Sequence, residues 1–394
     1  MPSELAGNAT EDQATLSRRV KVRMNEALMH FYRGELEPAE ALATEVYDQA
    51  LPAAMTEEAC RAQRCRAQIA IEQGAFSRAE QLLEEALQLA LANGDRRLIA
   101  GCYYARSRKE ALRGQYGDVE SSVGLTLMHA REVGSFLYEA HAYSLLGHCR
   151  GCLGRPEEAR DYYQAATDIY RQLIDESHLL FSLLELALVQ FELGDTVASR
   201  TAFDEALTLT FCPNYSQDIA GGYYRLAYFE SQLGRVEVAA GLLEQGRATF
   251  DGQLDQQSEL SRLMAWASYL AASGQAESAI ENWRQAQAYA QHRQNRFAVA
   301  EIRLGLARTL LQLGEFDRAS AKLQDAQIAF EYFNAEIMLA RTICAWGKYH
   351  YASGAHAAAQ ASCDKATHRA TGLLAPGVLL RHELQMMRAR LTDD

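Results

Sequence analysis

The sequence predicts an all-α protein, a solenoid of nine antiparallel helical hairpins with a capping helix at its C-terminal end, and two observations carry that prediction. The first is periodic: Gly34, Gly74, Gly114, Gly154, Gly194, Gly234, Gly274, Gly314 and Gly354 stand 40 residues apart, with no insertion or deletion between them. Self-similarity at such a period marks a repeat architecture, in which a unit buries its apolar face only by stacking on its neighbours. The second is compositional. Six prolines in 394 residues, 48% hydrophobic and 23% charged side chains, and many Ala, Leu, Glu, Gln and Arg favour helix.

Two columns of small residues define the unit. Seven residues before each glycine stand Ala27, Ala67, Ser107, Gly147, Ala187, Ala227, Ala267, Ala307 and Gly347. Five after it stand Ala39, Ala79, Val119, Ala159, Ser199, Ala239, Ala279, Ala319 and Ala359. Twelve after it the side chains are again small or modest, as in Ala86, Thr126, Ala166 and Gly246. Small residues on two successive helices let their backbones approach, and the glycine between them takes the left-handed conformation that ends the first helix. Helix starts follow the glycine, as in Gly154-Arg155-Pro156-Glu157-Glu158. Polar breaks such as Asn93-Gly94-Asp95 and Cys212-Pro213-Asn214 separate one hairpin from the next.

With an aromatic or apolar residue often two after the glycine (Leu36, Phe76, Tyr116, Val236, Phe316), this pattern closely resembles the tetratricopeptide repeat, in a 40-residue variety, over about residues 17 to 372. The resemblance implies a right-handed α-solenoid and binding of protein or peptide, without naming a ligand. The bulky position eleven before the glycine is Tyr103, Tyr143, Leu183, Tyr223 and Leu263 in the middle repeats but Arg23, Gln63 and Arg303 elsewhere. The organisation expected is a loose segment over residues 1–15, the solenoid over 16–375 and a capping helix and tail over 376–394. In the last of these Leu380, Leu384, Met387 and Leu391 share a face and Arg381, Arg388 and Arg390 lie off it.

Fifty-one acidic against thirty-nine basic residues give a net charge of -12, which argues against nucleic acid as a partner. No apolar run of about 18 residues is free of charge, and the N-terminus lacks the basic and apolar regions of a leader, so neither a membrane nor export is expected. Eight cysteines spread along the chain fit a reducing, cytoplasmic setting.

The resemblance also implies that first helices line a concave wall, with positions 13, 10, 9, 6, 3 and 2 before each glycine facing the groove. Carried onto this sequence they include Arg64 and Gln68, Tyr104 and Arg108, His141, Ser144 and His148, Tyr224, Arg225 and Tyr228, and Arg308 and Lys348. Repeat 5 adds Glu185 and Glu192. A basic and aromatic groove in an acidic protein suits an acidic peptide segment or a chain-terminal carboxylate, with Arg supplying paired hydrogen bonds and Tyr rigid contact area. The plainer alternative is that long side chains coat an empty wall.

No phosphate loop, nucleophile elbow, dinucleotide fingerprint or zinc-protease pair is present, so an enzyme is not expected and no cofactor is implied. His141, His148, Cys149 and Cys152 are the one metal-like or redox-like constellation. On a continuous helix Cys149 should point into the packing while His148 and Cys152 face the groove, so the four do not converge on a metal. The first function class is thus a non-enzymatic scaffold or adaptor. The second is the sensing module of a bacterial signalling system that binds a peptide or small ligand and acts on an output protein in trans. A third, self-association of solenoid ends into filaments, is opposed by the polar N-terminus and the C-terminal cap.

Overall fold

The computed structural model describes residues 3–209, 215–252, 254–373 and 375–392, and among them the elements are nineteen helices with no strand. In chain order they are α1 (Ser3–Tyr32), α2 (Leu36–Ala50), α3 (Thr56–Glu72), α4 (Phe76–Asn93), α5 (Arg96–Leu112) and α6 (Tyr116–Glu132). There follow α7 (Phe136–Cys152), α8 (Pro156–Leu173), α9 (Glu176–Leu193), α10 (Thr196–Ala206), α11 (Tyr215–Gln232), α12 (Val236–Thr249) and α13 (Gln256–Ala272). The last are α14 (Ala276–His292), α15 (Arg296–Gln312), α16 (Phe316–Phe333), α17 (Glu336–Ala352), α18 (His356–Thr371) and α19 (Val378–Thr392). The fold is an all-α solenoid of helical hairpins. The helix α1 begins at Ser3; the break at Cys212-Pro213-Asn214 lies outside the described residues.

The periodic glycines do what their spacing implies. All nine sit between the helices of a hairpin with φ between +72° and +89°, a region costly for other L residues. Both small columns are buried, most of their members completely, so the two helices meet backbone to backbone. Helix starts are capped by side chains: at one register of the period Asp175, Asp255 and Asn295 accept from the backbone N–H of His178, Ser258 and Ala298, and at the start of a second helix Asp195 accepts from that of Ala198.

The connections between hairpins repeat a left-handed residue as well, at Ala54, Gly94, Gly134, Ile174, Gln294 and Asn334. The sequence hides this second period because the residue type varies. Ile174 is the most strained of these, a β-branched side chain at φ +56° that is 82% exposed and so gains little by packing. Ile174→Gly is expected to raise the stability to urea unfolding by about 1 kcal/mol; a loss would show that the side chain packs more than its exposure indicates.

The chain divides into two compact units. Unit 1 takes in Met1–Glu110 and Gly117–Ala142, and unit 2 takes in Ala111–Tyr116 and Tyr143–Asp394. The core of unit 1 runs from Val20, Met24 and Ala27 of α1 through Ala39, Ala43 and Val46 of α2 to Ala59, Ala62 and Ile69 of α3. A second cluster joins Cys60 of α3 and Leu87 of α4 to Leu98, Ile99 and Cys102 of α5. In unit 2 the first helices of successive hairpins, α9, α11, α13, α15 and α17, touch in series, and α19 continues the series. Its Leu380, Leu384 and Met387 pack on Ala340, Ile343 and Cys344 of α17 and on Cys363 of α18.

Unit 2 also closes on itself. The Tyr116 ring meets Phe297 edge-on at 5.6 Å and lies 6.1 Å from Phe333. The turn at Gly154 abuts Ile337 of α17, and Arg381 of α19 donates to the Leu193 carbonyl at 3.2 Å.

Candidate binding wall

The two units treat their inward-facing arginines differently. In unit 1, Arg64 of α3 lies over the Tyr138 ring, with its guanidinium carbon 5.9 Å from the centroid. Both side chains occupy the space above Gly101 of α5, where any Cβ would clash with Arg64 Nη1 and the Tyr138 hydroxyl. Glycine at 101 thus leaves room for both tips, which a larger residue would displace. Three residues on, Tyr104 stacks on His141 at 4.8 Å and 16° and lies 6.3 Å from Tyr138. One cation and three rings thus gather on three successive first helices.

Burial works against the charge of Arg64, but the Tyr138 hydroxyl and the sulfurs of Cys102 and Cys60 outweigh it and raise its pKa. Among the described residues no carboxylate pairs with Arg64, and its Nε is buried with no hydrogen-bond partner. A buried donor without an acceptor is costly, which makes the position receptive to an anionic oxygen. Gln68 and Arg108 are half-buried on the same helices, α3 and α5.

In unit 2 Arg225, Arg308 and Arg341 are each paired with a carboxylate, although the Nε of Arg308, like that of Arg64, is buried with no hydrogen-bond partner. Arg225 of α11 donates to Glu185 of α9, whose other oxygen accepts from the Tyr163 hydroxyl at 3.3 Å. The Tyr228 hydroxyl donates to Glu301 at 2.9 Å. Farther along, Glu383 of α19 takes Arg341 on one oxygen, at 3.0 Å from both Nε and Nη2, and Arg308 on the other at 2.8 Å. Gln232 accepts from the same two arginines. Lys348 stands beside this cluster, where burial lowers its pKa and Glu383 partly restores it. Burial raises the Glu192 carboxyl to about 7, with Glu301 adding to the rise and Arg341 and Arg225 opposing it.

The sequence-predicted residues therefore fall into three groups. Arg64, Tyr104 and His141 come together in unit 1. Arg225, Tyr228, Arg308 and Lys348 lie on the inner wall of unit 2 among carboxylates of the chain itself, with Ser144 buried and His148 half-buried on α7.

Tyr224 forms the third group, since it does not face the groove at all. It is 2% exposed and packs with Ala220, Ala227 and Leu243. The reason lies on the partner helix. At Gly246 of α12 a Cβ would sit 2.8 Å from the Tyr224 ring, so the ring fills the space that glycine leaves. Three periods earlier Thr126 occupies the equivalent place, and the equivalent Tyr104 turns to His141 instead.

Sequence reasoning missed Tyr138 and Glu383. Tyr138 lies in the first turn of α7, ahead of the wall positions, and no column marks it. Glu383 is legible only once α19 is seen as one more first helix, ending at Thr392 one 40-residue period after Ala352 ends α17. Among the described residues no group of three or more His, Cys, Asp and Glu is placed to hold a metal ion, and no helix is long and apolar enough to cross a membrane.

The tetratricopeptide repeat family model matches residues 138–210. In fold the chain is similar to a Rap protein complexed with Competence and Sporulation Factor, at 15% identity over 94% of this chain and 100% of that one, with a TM-score of 0.66. It is also similar to the apo form of the quorum sensor NprR from B. thuringiensis, at 14% identity over 89% and 99% of the two chains and a TM-score of 0.57. Aspartyl phosphate phosphatase F from Bacillus subtilis is similar at 13% identity over 79% and 93%, with a TM-score of 0.54. No curated protein matches the chain in sequence.

Proposed function

We propose that this chain, which carries tetratricopeptide repeats, is a non-enzymatic binding protein that holds an acidic peptide segment or a chain-terminal carboxylate on the first-helix wall of unit 1. The observation that carries the proposal is the state of Arg64: a charged guanidinium set over Tyr138, beside the Tyr104–His141 stack, with a buried Nε that lacks an acceptor. A ligand carboxylate there gains charge-assisted hydrogen bonds, and the rings give it rigid contact area at low entropic cost. The arginines of unit 2 are less suited, because Glu185 and Glu383 already occupy them. Seven free cysteines among the described residues suit a reducing, cytosolic setting.

A library of short peptides with free C-termini, passed over the purified protein and read by mass spectrometry, tests this. Wild type should enrich carboxylate-rich members, and Arg64→Ala should lose about tenfold or more in affinity for them, the value of a hydrogen bond to a charged group. Equal enrichment by both proteins would remove Arg64 from the site. A second reading, a peptide-sensing module acting on an output protein in trans, draws on the length over which the fold follows the Rap protein and the quorum sensor NprR. Recovery of a folded enzyme or transcription factor with the peptide-loaded chain would favour it over an adaptor.

A further inference from the structure

The inner wall of unit 2 carries a thiol that is not buried. Of the described cysteines, Cys60, Cys65, Cys102, Cys149, Cys344 and Cys363 are buried, and Cys152 is partly exposed. Cys152 is the last residue of α7, with His148 one turn earlier on the same face; its Sγ is 3.8 Å from His148 Nε2. The Tyr116 hydroxyl is close enough to the same sulfur for the two to interact.

The imidazole is itself embedded in a built arrangement. Glu185 of α9 acts on it, and that carboxylate is fixed by Arg225 of α11 and by the Tyr163 hydroxyl of α8. Burial pushes the Glu185 carboxyl up, but Arg225 and His148 more than offset it, so Glu185 stays ionised. The Cys152 sulfur raises His148 to about 9 against the opposing effect of burial, and Glu185 adds to the rise. His148 is therefore an imidazole held against the sulfur of a partly exposed cysteine, with Glu185 acting on it, so that it is placed to take up the thiol proton. By contrast the sulfurs of Cys60 and Cys102, 3.7 Å apart, are sealed in the core of unit 1.

We propose that Cys152 is a modification site that takes up small disulfides as a mixed disulfide, with His148 as its proton-holding partner and Glu185 as a positioning residue. The Cys152 sulfur attacks one sulfur of a reagent R–S–S–R, forming the new S–S bond as the reagent's own S–S bond breaks. The leaving RS⁻ takes the proton held by His148 and departs as RSH, so the exchange balances with the disulfide itself as the oxidant. The adduct projects from α7 onto the inner wall of unit 2, where Glu185 and Arg225 lie. The inference is independent of the peptide-binding proposal, which concerns unit 1.

Alkylation by iodoacetamide at pH 7, with the rate read on the Cys152 peptide itself, provides the test. Native protein should react at Cys152 about tenfold faster than the urea-unfolded chain, because only the fold holds the His148 imidazole, with Glu185 behind it, against the sulfur. Oxidised glutathione should add at the same residue and be released by dithiothreitol. His148→Gln should slow native labelling of Cys152 about tenfold while Cys344 stays protected, which reports an intact fold. Native labelling no faster than that of the unfolded chain would overturn the proposal, and so would an unchanged rate in a folded His148→Gln protein.

Discussion

Replacing Glu383 by Ala is expected to cost unit 2 about 3–5 kcal/mol, the usual penalty for removing one partner of a buried ion pair. The carboxylate is 5% exposed and binds Arg341, itself 4% exposed, through two nitrogens and Arg308 through one. Without it Arg341, Arg308 and Lys348 lose the carboxylate they share, and Gln232 is left accepting from both arginines. Glu383→Gln keeps the shape and loses the charge, so it should fall between wild type and Glu383→Ala in urea melts at pH 7.

The pH dependence carries a definite sign. Burial pushes the Glu383 carboxyl up, but Arg308, Arg341 and Lys348 hold it below the ordinary range. Its contribution is therefore present above the unfolded carboxylate value of about 4.3 and is lost as the pH falls through the lower folded value. The Glu383→Ala protein should lack that portion of acid sensitivity. A loss under about 1 kcal/mol at pH 7 would mean the cluster is solvated like a surface pair.

Gly154→Ala is expected to cost about 2–5 kcal/mol, by adding two effects that the structure separates elsewhere. At φ +77° any Cβ meets the left-handed penalty of about 1–2 kcal/mol. The same Cβ would lie 2.7 Å from Ile337 Cβ and 3.0 Å from the Ile337 backbone nitrogen, an overpacking that costs about 1–3 kcal/mol more. Gly274→Ala is the control: φ is +80° and nothing lies within 4 Å of the added atom. Urea denaturation of both proteins, at matched conditions, should show the larger loss at Gly154. Equal losses would mean that the α7–α8 turn does not rest on α17, and unit 2 would not be closed in the way described.

Gly154 and Gly274 also show where the sequence is informative and where it stops. Their identical place in a 40-residue period made the hairpin legible, because a left-handed turn and a helix pair in contact restrict residue type at fixed positions. That only Gly154 meets a distant helix depends on how unit 2 coils back on itself, which no local pattern encodes. The left-handed residue between hairpins went unread for a related reason: Ala54, Ile174, Gln294 and Asn334 adopt the conformation without being glycine.

The wall was legible in part. Arg64, Tyr104 and His141 follow from register alone, and the structure brings them together with Tyr138. Tyr224 occupies the same register as Tyr104 but faces its hairpin partner, since a glycine at 246 opens space that Thr126 closes in the earlier repeat. The ion pairs that use up Arg225, Arg308 and Arg341 link residues about one or two periods apart. One-dimensional register gives the face open to a side chain, but not whether a gap in the partner helix draws it away, as at Tyr224, nor which charge stands across from it.

The most direct measurement of the binding proposal takes a peptide recovered by wild type and compares its affinity as the free acid with its affinity after the responsible carboxylate is converted to an amide, on wild type and on Arg64→Ala. If Arg64 holds that carboxylate, amidation should weaken wild-type binding about tenfold or more and leave the binding of Arg64→Ala unchanged. Equal losses on both proteins would place the carboxylate elsewhere and contradict the account.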